Sequence, residues 1–200
     1  MEFNLNIPKM GYFTLVRHNG DIFGRGIEKK QLSAGFSPED AKFTHVEVSG
    51  GGQWSVCVAP PRTKIVDITQ RYKGRYLKIV RYKGLEYEDR KRYKVAFWAA
   101  THCNLPYDWR GILAFIWRKI KQHTSFWFCS ENAAWALQKE YPCALDKTPE
   151  KCMPADFLNL KWFEVAWEGE IPEVIEKGGS NETEKIECSK SINQGIAAVN

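Results

Sequence analysis

The chain has 200 residues, which fits one domain or one domain plus a tail. Hydrophobic residues make up 44% and aromatics 14%, so a disordered or fibrous chain is excluded and a substantial core is expected. A formal charge of +5 suits an anionic partner (nucleic acid, acidic glycan or lipid headgroup) without choosing among them, and no apolar run approaches the length of a membrane span.

Gly11 to Arg17 alternates like a strand, and His18-Asn19-Gly20-Asp21 reads as a turn. Ile22 to Lys30 is read as a short extended piece and Gln31 to Lys42 as loop-like, with a brief helical turn at Ser37-Pro38-Glu39-Asp40. Phe43 to Ser49 alternates again. Phe43, His45 and Glu47 are expected on one face, with Thr44, Val46 and Val48 on the other. Ser49-Gly50-Gly51-Gly52-Gln53 signals a hairpin into Trp54–Ala59, and further strands are predicted at Lys64–Ile68 and Tyr76–Tyr82.

Glu86 to Ala100 reads as a helix. After a break at Asn104-Leu105-Pro106-Tyr107-Asp108, a second is expected from Trp109 to Arg118, capped by Asp108. Met153 to Leu158 looks like a short helix led by Pro154, and Trp162 to Trp167 like a last strand. From Glu168 the composition turns polar and Gly/Ser-rich, so residues 1–167 are assigned to the domain and 168–200 to a mobile tail. Strands cluster early and helices follow, which predicts an α+β domain with an antiparallel sheet.

There are six cysteines, none with C-x-x-C spacing. The first residues lack a basic segment followed by an apolar run, so a cytoplasmic location with reduced thiols is expected. The Asn181 sequon is then a chance match. No metal site is expected: His102 and Cys103 are adjacent but lack further ligands at metal spacing. His18 and His123 read as structural or exposed.

The stretch from Phe126 to Leu137 carries the chemistry. Aromatic residues lead into Cys129, and Ser130 to Leu137 reads as a helix, with Ser130 or Asn132 able to cap it and Glu131 suited to its positive end. A thiol at a helix N-terminus has its thiolate stabilised, which prepares a nucleophile. A buried core thiol is the plainer alternative. A nucleophilic Cys needs a base and a group to orient that base. His45, held on a strand, is the candidate base.

The order of these parts resembles the circularly permuted branch of the papain-like cysteine peptidase and amidase superfamily, which contains the NlpC-like cell-wall amidopeptidases. Phe43-Thr44-His45-Val46-Glu47-Val48, Leu105-Pro106-Tyr107-Asp108-Trp109, Phe128-Cys129-Ser130-Glu131 and Met153-Pro154-Ala155-Asp156-Phe157 carry the resemblance, over about residues 10–165. It implies a permuted papain-like fold, with Cys129 as nucleophile and His45 as general base and then acid. The Cys129 N–H would join an oxyanion hole. The implied partner is a peptide, isopeptide or acyl substrate, peptidoglycan peptides among them, and no cofactor is implied.

The family's third residue, often an acid on the strand after the His strand, has no counterpart in Trp54–Ala59. Glu47 is the nearest acid; at about 7 Å along the strand its carboxylate is expected to bridge only partly to His45. Ser55 and Gln53 are further options. Ser130, Glu131, Tyr107 and Asp108 are candidates to line the site. The missing acid leaves room for a catalytically idle module of the same fold, for example in a phage or virus particle or the infected host's cytoplasm. The basic run Arg71–Lys83, echoed by Arg90–Lys94, keeps single-stranded nucleic-acid binding open, against a plainer reading as solvated strand and helix faces.

Overall fold

The computed structural model describes residues 3, 4, 6, 8–85, 88–108 and 127–172. The helix expected at 109–118, His123, the Asn181 sequon and tail residues 173–200 lie outside the described residues.

Six strands form one antiparallel sheet: β1 (Phe13–Arg17), β2 (Phe43–Gly51), β3 (Trp54–Cys57), β4 (Lys64–Asp67), β5 (Tyr76–Tyr82) and β6 (Phe163–Glu170). Their order is β4-β3-β2-β1-β5-β6, so the β2 strand runs near the middle. Five α-helices are described: α1 (Ile22–Ser33), α2 (Pro38–Ala41), α3 (Ile68–Arg71), α4 (Asp89–Ala100) and α5 (Cys129–Glu140). The class is α+β, as expected.

Residues 22–33 are a helix rather than an extended piece. Asp21 caps it by accepting from the Gly24 N–H, and Ile27 and Gln31, four residues apart, both face inward. Two glycines lower the helix propensity of this segment and hide it from a reading of the sequence. Gly24 is there for space: a Cβ would stand 2.5 Å from His18 Cβ. Gln31, fully buried, donates to the Ala41 and Phe43 carbonyls and accepts from the Ala155 N–H. It thereby fixes the start of β2 against the 3-10 turn at Pro154–Leu158.

One face of the sheet carries the main core. Phe13, Leu15, Val46, Val48 and Val56 pack there against Val95 and Ala99 of α4 and Ala133, Ala136 and Leu137 of α5. Phe13, Phe157 and Phe163 form an aromatic cluster with centroids 5.0–5.7 Å apart. The opposite face carries a smaller cluster of Tyr12, Val16, Cys57, Ile68, Tyr72, Leu77, Ile79 and Trp167.

The facing of β2 departs from simple alternation. Val16 pairs with His45 but Arg17 with Phe43, so Thr44 is skipped by a bulge. Phe43 therefore joins Val46 and Val48 in the main core, while His45 and Glu47 share the other face. The last strand also outruns its predicted end: β6 continues to Glu170, and Ile171 is fully buried and donates its N–H to the Arg75 carbonyl. The ordered fold thus extends past residue 167. No helix among the described residues is long and apolar enough to cross a membrane.

Candidate active site

The pairing of β2 with β3 runs from Val48↔Val56 through Gly51↔Trp54 and stops short of His45. Beyond β3 the chain turns away to meet a later segment. Thr63 N–H donates to the Leu105 carbonyl and Tyr107 N–H to the Pro61 carbonyl. Tyr107 bridges in turn to Trp127, and Asp108 N–H donates to the Trp127 carbonyl. This relay carries the start of α5, and Cys129 with it, to the opening beside β2. The Val46 N–H, free of a β3 partner there, hydrogen-bonds the Cys129 sulfur, and so does the Ser130 N–H.

Helix α5 begins at Cys129 with Phe128 as N-cap and has no side-chain cap. The expected caps are used elsewhere. Ser130 Oγ donates to the Cys152 carbonyl at 2.7 Å, and Asn132 Oδ1 meets His102 Nδ1 at 2.6 Å. Both side chains are buried between α5 and its neighbours, so neither reaches back to the first turn. The start of α5 therefore has no side-chain cap, and its dipole favours an anion there.

His45 and Cys129 interact directly. Burial would raise the Cys129 thiol, but the adjacent His45, by charge and hydrogen bond, brings it below its ordinary value. Burial would lower His45; the Cys129 charge and contacts with Cys129, Cys57 and Glu47 outweigh it and hold the imidazole well above its ordinary value. Both directions favour the charge-separated form of the pair, thiolate beside imidazolium.

Glu47 closes the distance that strand spacing left open. Its Oε1 lies 3.2 Å from His45 Nε2, because both side chains lean toward each other from one face of β2. Burial favours its neutral form, but His45, Cys57 and the Tyr72 hydroxyl hold it below its ordinary value. Tyr72 OH donates to the same Oε1, and Arg71 Nε stands 3.9 Å from it. With Nε2 turned to Glu47, Nδ1 is the ring nitrogen left to exchange a proton with Cys129. Ser55 and Gln53 are not in this set: Ser55 Oγ donates to the Val48 carbonyl, and the Gln53 carbonyl accepts from Ile68.

Of the other candidates, Tyr107 lies close enough for burial and then the charges of Cys129, Asp108 and Cys57 to raise its hydroxyl well above the ordinary value. Asp108 is fully buried beside it. Glu131 is pushed up to about 7 by burial, with the Asp108 charge adding to the effect. Ser130 contributes its backbone rather than its side chain. His102 is structural, stacked at 4.1 Å on Trp127 and lowered by burial. His18 pairs with Glu28.

Three participants went unnoticed in the sequence: Cys57, whose sulfur lies 3.6 Å from His45 Nε2, and Tyr72 and Arg71, which reach Glu47 from α3. Cys57 lies on β3, the strand that follows the His45 strand. Tyr72 and Arg71 were absorbed into the basic run. Elsewhere in that run, Lys78 pairs with Glu168, Arg81 with Glu164, Lys91 with Glu88, Arg92 with Asp89 and Lys94 with Glu140.

A pocket of about 160 Å³ opens on the His45 side, lined among others by Thr44, His45, Ala59, Arg71, Tyr72 and Arg75. Cys129 itself is 4% exposed and does not line it. Compared with known proteins, the chain matches no family model and no curated protein.

Proposed function

We propose that this chain is a thiol hydrolase of amide or ester acyl groups, working through Cys129, His45 and Glu47. The observation that supports the reading is the contact of Cys129 with His45 at the start of a helix without a side-chain cap, with the far side of the imidazole held by a buried carboxylate.

In this reading the Cys129 thiolate attacks the acyl carbon, and the developing oxyanion meets the backbone donors at the start of α5. His45 then gives its proton to the leaving amine or alcohol as the carbon–heteroatom bond breaks. Water, deprotonated by His45, cleaves the resulting thioester and restores the thiol pair. Glu47 orients the ring and stabilises its protonated form, as the acid of a triad does. The substrate class is a peptide, isopeptide or other acyl group, with peptidoglycan peptides the candidate suggested by the permuted papain-like resemblance.

A second reading has its own support. The thiol is almost covered, and the neighbouring pocket is smaller than the roughly 300–1,000 Å³ of common ligand sites. Both features suit an idle module of this architecture used for binding. Nucleic-acid binding is favoured less, because the cations that motivated it are largely paired within the chain.

Alkylation with iodoacetamide near neutral pH tests the first reading against the second. Cys129 should be modified ahead of the other cysteines, including the exposed Cys143. His45→Ala should slow that modification by about 10²–10⁴-fold. Modification of Cys143 first, or a Cys129 rate indifferent to His45→Ala, would sink the hydrolase and favour the module.

A further inference from the structure

Cys57 has no part in acyl transfer, yet its sulfur shares His45 Nε2 with Glu47, at 3.6 Å and 3.2 Å respectively. One donor atom from each of the three residues lies within 4.8 Å of the others. Tetrahedral zinc binds sulfur at about 2.3 Å and nitrogen or oxygen at about 2.0–2.2 Å, so its sulfur–nitrogen and nitrogen–oxygen edges are about 3.5 and about 3.4 Å. The two separations seen here match those edges to within a fraction of an ångström.

A second observation points the same way. The Glu47 side chain is fully buried, and while Oε1 serves His45 and Tyr72, Oε2 carries no hydrogen bond. A buried carboxylate oxygen without a partner is costly, and a cation held through Oε1 would also lie against Oε2. The pocket bordered by His45, Arg71 and Tyr72 gives a hydrated ion room to approach.

We propose that His45 Nε2, Glu47 and Cys57 Sγ form a site for a thiophilic divalent cation of the Zn²⁺ type, with an open fourth position. On binding, the Cys57 S–H and any proton on Nε2 are released to solvent, and sulfur–metal and nitrogen–metal bonds replace them. The metal site does not rest on the hydrolase reading.

Co²⁺, a spectroscopic stand-in for Zn²⁺, tests the site in the full chain. One equivalent should give a thiolate-to-cobalt charge-transfer band in the native protein and equally in Cys129→Ala, and Zn²⁺ should displace it. Cys57→Ala should lose the band and weaken Co²⁺ binding at least as much as disturbing a supporting residue does, about tenfold or more. Cys57→Ser, which leaves almost no cavity, should behave the same with an unchanged thermal melt. A band kept without Cys57, lost without Cys129, or absent throughout overturns the site. Because the band does not depend on Cys129 reactivity, failure of the site and failure of the hydrolase reading are told apart.

Discussion

The two faces of the β2 strand differ sharply in chemistry. Val46 and Val48 point into an apolar layer closed by α4 and α5. His45 and Glu47, their immediate neighbours, point the other way into a polar knot with Cys57, Tyr72 and Arg71. The first face is held by area and fit, roughly 1.5–3 kcal/mol for each large side chain fully buried. The second is held by hydrogen bonds among groups that would be costly to bury singly. The lesson is that a strand in a well-packed sheet can brace a reactive pair: one side supplies rigidity, and the other spends it on fixing an imidazole.

That division predicts separable effects. The largest should come from Phe13→Ala in the apolar layer. Removing a fully buried ring from the Phe13–Phe157–Phe163 cluster should cost about 3–5 kcal/mol in denaturant unfolding. The pH profile of Cys129 alkylation should stay where it is; a shift would mean the faces are coupled.

Glu47→Gln probes the other face. The thiolate–imidazolium pair exists above the Cys129 pKa and below that of His45, so alkylation should follow a window whose lower limb is the thiol and upper limb the imidazole. Glu47 favours the protonated ring. Its loss should therefore move the upper limb to lower pH and narrow the window. A hydrogen bond to a charged group is worth about 1.5–3 kcal/mol, so the rate should fall about ten- to a hundredfold. An upper limb that does not move would deny Glu47 its orienting role.

Tyr72→Phe is milder. It takes one hydrogen bond from a buried carboxylate and should cost about 1–3 kcal/mol of stability in thermal or urea unfolding, with a smaller change in alkylation rate. Lys78→Ala should do least. Its partner Glu168 is partly exposed, and pairs open to water are worth about 0–1 kcal/mol. A larger loss would show that the basic strand carries more of the fold than its ion pairs suggest.

Much of this arrangement was legible in advance. The strands at Phe13–Arg17, Phe43–Gly51, Trp54–Cys57 and Tyr76–Tyr82 declare themselves by alternation and glycine turns, and the Cys129 helix by its run of helix formers. Helix α1 was missed because two glycines mask its period, although Asp21 at its head was a usable cap signal. The Phe43 face was misjudged because a bulge at Thr44 leaves no mark in the residue pattern. The Ser130 and Asn132 caps failed because burial in tertiary contacts claimed both side chains.

The sequence by itself determined the class of fold, the strand that holds His45 and the helix that opens on Cys129, since each follows from local periodicity and propensity. It also placed Glu47 on the same face as His45, because side chains two residues apart on a strand point the same way. Only the tertiary structure decided that the carboxylate reaches the ring, that Cys57, Tyr72 and Arg71 gather around it, and that β2 and β3 part where the thiol enters. Those contacts join residues distant in the chain, and they depend on side-chain lean, strand bulges and loop pairing that no local pattern encodes.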